Sequence, residues 1–120
     1  MIVRRLNECE EFLAGDYTRL RELLHPDRAP VKLGYSLAHG HLEPGADSKR
    51  HRLSSTEVYY FLAGRGMFHV DGHASPVEPG MVIYVPPDTE QWVQNSGDSK
   101  LEFLCLVDPA WKAEDEHIME

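Results

Sequence analysis

Apolar and polar residues alternate over much of this chain. Val31, Leu33, Tyr35 and Leu37 alternate with Lys32, Gly34, Ser36 and Ala38, the period-two signature of a half-buried strand. Glu43-Pro44-Gly45 stops that run. EVYYFL (residues 57–62), a glycine turn at Gly64-Arg65-Gly66, MFHV (67–70) and an Asp71-Gly72 turn come next. Asp-Gly between apolar runs is a hairpin signal. MVIYVP after Pro79-Gly80, QWVQN after Pro86-Pro87-Asp88, and LEFLCLV close the series. Short strands separated by Gly and Pro turns predict an all-β barrel or jelly roll.

The ends read differently. Asn7, followed three residues later by Glu10, has the form of a helix N-cap, so a short helical turn is expected over about residues 8–13, ended by Gly15. TRLRELL (18–24) fits either state, HPDRAP is a loop, and KAEDEHIME is expected to be a solvated terminal segment. One domain is expected: an N-terminal arm with a first strand over 1–30, the barrel over 31–108 and a tail over 109–120.

Composition narrows the partners. The net charge of -8 comes from 12 Lys and Arg against 20 Asp and Glu. The cations are scattered, which argues against nucleic acid, whose binding depends on clustered cations. No run approaches 18 apolar residues and MIVRRLNECEEF has no leader-like apolar stretch, so a soluble, cytoplasmic protein with no membrane partner is expected. Cys9 and Cys105 are too isolated for a disulfide framework or a thiolate zinc site, and Cys105 reads as an inert buried thiol. The seven histidines carry more information, because imidazole is the commonest metal ligand and the usual acid or base near neutral pH. His25 and His117 are expected to be bland surface residues.

One set of spacings resembles a known family. Gly45, His51, Leu53, Glu57 and Gly64, separated by five, one, three and six residues, resemble the first motif of the cupins, with leucine where a second histidine is usual. Pro79-Gly80, Pro86-Pro87, Gln91 and Asn95 resemble the second motif, with Gln91 in a histidine's place. The resemblance implies a double-stranded β-helix barrel, often paired as a homodimer through its sheets. It also implies a site for a divalent transition metal ion (Fe, Mn, Ni or Zn), of whose ligands His51 and Glu57 remain, Leu53 is lost and Gln91 is softened to a neutral oxygen donor. Cupins include dioxygenases, isomerases, lyases, epimerases and non-catalytic proteins, so fold alone leaves activity open.

The residues themselves suggest a compensation. In Ala38-His39-Gly40-His41 the histidines share the parity of Leu33, Tyr35 and Leu37, so both are expected to face inward if that set does. His39, deeper in the strand and flanked by small residues, is expected to complete a metal set with His51, Glu57 and Gln91; His41 is the alternative, placed in the substrate pocket. The bland reading of either is a core histidine satisfied by a carbonyl or by Glu57. Tyr59 shares Glu57's parity and is expected to line the pocket. His69 points outward if Phe68 and Val70 face the core, but resemblance to cupins with a polar residue on this strand places it in the pocket. Trp92, of opposite parity to Gln91, is expected outside it. Glu57 is the expected catalytic residue: on a metal it is a ligand, and off one it is a carboxyl whose pKa burial raises, hence a general acid or base.

Two functions follow as expectations. The first is a metal-dependent enzyme acting on a small oxygen-rich molecule by oxygenase, isomerase or lyase chemistry. The second is a non-catalytic small-molecule binding or sensing module whose metal site has degenerated.

Overall fold

The computed structural model describes residues 1–119. A 3-10 turn at Leu6–Glu8 leads into eleven strands: β1 (Glu11–Leu13), β2 (Arg19–Leu24), β3 (Ser36–Leu42), β4 (His51–Leu53), β5 (Thr56–Ala63), β6 (Gly66–Val70), β7 (His73–Val77), β8 (Val82–Val85), β9 (Gln91–Asn95), β10 (Leu101–Asp108) and β11 (Glu116–Ile118). A second 3-10 turn, Ala113–Asp115, precedes β11. One sheet has the order β1-β2-β3-β10-β5-β8 and the other β11-β4-β9-β6-β7. Every named pair is antiparallel. The architecture is the all-β double-sheet jelly roll that the turn spacing predicts, and among the described residues no helix is long and apolar enough to cross a membrane.

The core lies between the sheets. Tyr59, Phe61, Phe68 and Phe103 form its centre, with ring centroids of Tyr59 and Phe68 4.7 Å apart and those of Phe61 and Phe103 5.5 Å apart, spacings at which aromatic rings attract edge to face. Leu42, Val77, Val85, Val93 and Leu101 close around them.

Register decides which side chains face this core. In β10, Leu101, Phe103, Cys105 and Val107 are buried and alternate with half-buried Glu102, Leu104 and Leu106. Phe103 lies opposite Gly40 and Cys105 opposite Ala38, whereas Leu104 lies opposite His39 and Glu102 opposite His41. Directly opposed residues share a face, so the inner set of β3 is Ser36, Ala38, Gly40 and Leu42, and His39 and His41 stand on the outer face. This reverses the parity expected for them. The run from Val31 to Tyr35 is not strand and sets no parity for β3. The inward position 40 is glycine because a Cβ there would come within 2.6 Å of the Phe103 ring.

The ends also depart from expectation. The helical turn is one turn shorter and earlier than the N-cap pattern suggests, and residues 11–13 pair as strand with Arg19–Arg21. The C-terminal segment is not a solvated tail. Glu116, His117 and Ile118 pair with Leu53, Arg52 and His51, and Asp115 and Arg50 carbonyls accept from Ser54 and Met119 N–H groups at 2.9 Å each. The segment covers the edge β4 would otherwise expose, a common way of protecting a strand.

Candidate functional site

The inner faces of β2, β3, β5 and β10 diverge at one end of the barrel around a cavity of about 320 Å³, at the lower limit of the roughly 300–1,000 Å³ usual for small-molecule sites. Its lining is apolar at Phe12, Leu13, Leu20 and Trp111 and polar at Glu22, His25 and Arg28 and at a floor set of Asp16, His51, Glu57, Tyr59 and Glu116.

Each floor residue is fixed by its own element. His51, 2 % exposed, begins β4, and its Nδ1 donates to the Lys49 carbonyl at 2.8 Å. That bond sets the tautomer, so in the neutral ring Nε2 carries the lone pair. Nε2 lies 3.7 Å from Asp16 Oδ2, beyond hydrogen-bond reach. Asp16 belongs to the β1–β2 turn, where its Oδ1 accepts from the Thr18 N–H at 3.0 Å, leaving Oδ2 directed at the imidazole.

Glu57 and Tyr59 follow each other on the inner face of β5, opposite Val107 and Cys105. The Tyr59 hydroxyl donates to Gln91 Oε1 at 2.8 Å, and Gln91 Nε2 donates to Glu57 Oε1 at 2.9 Å. Burial drives the Glu57 carboxyl up to about 7, against the opposing pull of His51 and the Gln91 amide. Burial also pushes the Tyr59 hydroxyl and the Cys105 thiol well above their usual ranges, keeping both neutral. Glu116 is raised by burial and by the Asp16 carboxylate.

His51, Glu57, Gln91 and Tyr59 thus come together. The other three expected site residues do not join them. His39 is buried on the outer face of the six-stranded sheet, its Nε2 3.2 Å from Glu102 Oε1 and its Nδ1 without a partner. His41, on the same face, lies 3.9 Å from Glu11 and 3.8 Å from Glu43. His69 stands outside the other sheet, its ring stacked on Trp92 at 3.9 Å and its Nε2 2.7 Å from Gln94 Oε1. Phe68 fills the inner position on that strand, which leaves the neighbouring histidine no route inward.

The expected metal set is therefore not assembled. Leu53 offers no donor, His39 lies on the far side of its sheet, and the Gln91 oxygen is occupied by Tyr59 while its NH2 group faces Glu57. Among the described residues no group of three His, Cys, Asp or Glu side chains is placed to hold a metal ion. These side chains do not fit a divalent transition ion, whose sites need three or four convergent donors.

Sequence reasoning missed three cavity residues. His25 is 2 % exposed rather than at the surface: its Nδ1 accepts from Asp27 N–H at 3.1 Å and its Nε2 donates to the Trp111 carbonyl at 2.7 Å. Asp16 sits in a Gly-Asp turn between two apolar runs, a pattern that marks a hairpin but not its direction. Glu116 and Ile118 alternate around His117, a period-two signal too short to separate from an acidic tail.

Two antiparallel sheets enclosing a cavity make up the cupin architecture, and the chain belongs to the cupin domain family, whose model matches residues 38–107. It is similar to an uncharacterised protein of Methanocaldococcus jannaschii, 34% identical over 100% of this chain and 96% of that one. It is also similar to an oxalate-binding protein of Thermotoga maritima, 33% identical over 67 residues that make up 55% of each chain. Among solved structures it resembles a Streptomyces nucleoside dehydratase with a TM-score of 0.80 and 21% identity, covering 100% of this chain and 92% of that one.

Proposed function

We propose that this cupin binds a small oxygen-bearing molecule in the cavity and acts on it by proton transfer at Glu57, without a coordinated metal. The carrying observation is geometric: a buried carboxyl, held through Oε1 by Gln91, shares a cavity floor with an imidazole whose Nε2 has no hydrogen-bond partner. A carboxyl near pH 7 takes and returns a proton under physiological conditions, the requirement for isomerase- or lyase-type chemistry. His51 Nε2 is the second proton acceptor. Small-molecule binding by the Thermotoga maritima relative, named for oxalate, supports the binding half of this reading.

The test has two arms. Protein purified without a histidine tag is expected to hold far less than one equivalent of transition metal, and the Leu53→His/Gln91→His variant to take up one. Stoichiometric metal in the wild type that is lost in His51→Ala would overturn the metal-free reading. Carboxyl NMR of glutamate-labelled protein is expected to show a Glu57 midpoint near 7, assigned by its absence in Glu57→Gln. A midpoint in the ordinary range near 4 would overturn the acid–base role.

The same reading places the protein in the cytoplasm as a homodimer. Both cysteines are free, as in a reducing compartment. On the outer face of the six-stranded sheet, Tyr60, Leu62, Val82 and Tyr84 are all more than two-fifths exposed, beside half-buried Val58, Leu104 and Leu106. Apolar surface of this kind marks protein contacts. Light scattering is expected to give twice the chain mass, and Val82→Lys/Tyr84→Glu the single-chain mass; a monomeric wild type would reject the dimer.

A further inference from the structure

The cavity floor is richer in acceptors than in donors. In neutral His51 the lone pair of Nε2 faces the cavity, because Nδ1 is committed to the Lys49 carbonyl. Asp16 keeps Oδ2 free after its turn takes Oδ1. Glu57, held at Oε1 by Gln91 and neighboured by the Tyr59 hydroxyl and the Cys105 thiol, lines the same cavity. Glu116 reaches the same place from the C-terminal strand: its Oε1 lies 3.6 Å from the position a Cβ on Gly15 would occupy.

The nearby cations are spent elsewhere. Arg28 is held by both carboxylate oxygens of Glu22. Lys49 Nζ lies 4.3 Å over the Tyr17 ring, and both nitrogens of His25 are bonded to backbone. Three carboxyl groups and one imidazole lone pair therefore line one cavity with no lysine or arginine paired to them. His51 is 2 % exposed as a residue, and its Nε2, which makes no hydrogen bond, opens onto the cavity. Phe12, Leu13, Leu20 and Trp111 add apolar surface to the same cavity, the Trp111 side chain beside Glu116.

We propose that the ligand of this cavity carries a protonated amine on a compact apolar body, the ammonium seated among Asp16, His51, Glu57 and Glu116. An ammonium has three donors and no acceptor, and its charge is attracted by each carboxylate. A carboxylate ligand such as oxalate would meet carboxylates and the His51 lone pair, with no lysine or arginine paired to it. The inference rests on the proposed small-molecule cavity and names the chemistry of its occupant. It separates this chain from its oxalate-binding relative by charge.

The test uses three probes of one shape, benzylamine, benzyl alcohol and benzoate, titrated at pH 7.5 into the full chain and followed by NMR shifts of the His51 and Tyr59 rings. Benzylamine is expected to bind at least about tenfold more tightly than benzoate, since a charge pair near a protein surface is worth more than the 1.4 kcal/mol of a tenfold change, with benzyl alcohol between them. Asp16→Asn/Glu116→Gln, which keeps the turn acceptor and the side-chain shapes, is expected to bring benzylamine and benzoate within about threefold. Benzoate binding as tightly as benzylamine would overturn the amine inference and leave the small-molecule cavity standing. A preference for benzylamine unchanged in the double variant would show that these carboxylates do not select the charge, and would overturn it as well. If no probe shifts either ring, the cavity reading itself falls, and the inference with it.

Discussion

Gln91 Nε2 donates to Glu57 Oε1 across 2.9 Å where a metal-binding cupin would carry an imidazole. The substitution turns a ligand position into a brace. Oε1 of the carboxyl is held from inside the barrel, and Glu57 lines the cavity. Gln91 is in turn fixed by the Tyr59 hydroxyl at 2.8 Å, so the row from Tyr59 through Gln91 to Glu57 acts as one unit.

The first prediction concerns pH. The folded-state pKa of Glu57 is raised from 4.5 to about 7, so the native protein binds this proton more tightly than the unfolded chain. The resulting stabilisation is complete below about pH 4.5 and is lost as pH rises through 7, by roughly 3 kcal/mol at pH 8. His51 and Asp16 act on the same carboxyl with opposite signs. Glu57→Gln keeps the Gln91 contact without the charge. Its melting temperature relative to wild type is expected to rise steadily between pH 5 and pH 8; a difference independent of pH would show that Glu57 is ionised in the fold throughout.

The brace itself is the second. Gln91→Leu keeps approximate volume but strips the partner from the Tyr59 hydroxyl and from Glu57 Oε1, both buried. Two orphaned groups cost about 3 kcal/mol together. Loss of the amide also removes a bond that lowers the Glu57 pKa, so its midpoint is expected to move above 7. Chemical denaturation and carboxyl NMR read the two effects separately. A loss under about 1 kcal/mol would mean that the row is not held as a unit.

Much of the fold could be read from turn chemistry and alternation, because Gly64, Asp71-Gly72, Pro79-Gly80 and Pro86-Pro87 punctuate strands whose inner residues are large. The site was half legible. His51, Glu57, Gln91 and Tyr59 lie on strands where the apolar set is the core set, so parity gives the correct face. β3 inverts that rule. Three of its four inner positions are the small Ser36, Ala38 and Gly40, with Phe103 and Leu20 filling the space at Gly40 and only Leu42 large, and Leu37 is outward on a sheet face that is itself apolar. A strand with small residues inside and leucine outside gives the wrong face to any reading by hydrophobicity. Asp16 and Glu116 were invisible for other reasons: the local β1–β2 hairpin marks a turn without showing where Asp16 is directed, and Glu116 reaches the cavity through the long-range pairing of β11 with β4, which local pattern does not encode.

His39 provides the third prediction. Its ring is buried on the outer face with Nδ1 unpaired, and burial lowers its pKa against the contrary pull of Glu102. A depressed histidine contributes stability above its unfolded pKa of about 6.5 and loses it as pH falls. His39→Leu removes both the orphaned nitrogen and the titration. At pH 7.5 it is expected to be neutral or up to about 2 kcal/mol more stable, and to gain further on wild type towards pH 5, with the cavity probes binding as before. Impaired probe binding would return His39 to the site.

The C-terminal strand supplies the last. If residues 113–120 were a solvated tail, a chain ending at Lys112 would lose nothing. In the fold described here, that truncation removes β11 from the edge of β4, uncovers Leu53, which is 2 % exposed, and breaks the bond from Ser54 N–H to the Asp115 carbonyl. Exposing one buried leucine alone costs about 1.5–3 kcal/mol, and the freed strand edge adds to it. The truncated protein is expected to melt several degrees lower, to modify faster at His51 with an imidazole reagent, and to bind benzylamine more weakly because Glu116 is gone. His51 separates the causes: Glu116→Gln in the full chain is expected to lose amine affinity while His51 stays as protected as in wild type. A truncation that leaves melting temperature and His51 reactivity unchanged would show that β11 neither closes the sheet nor covers the cavity.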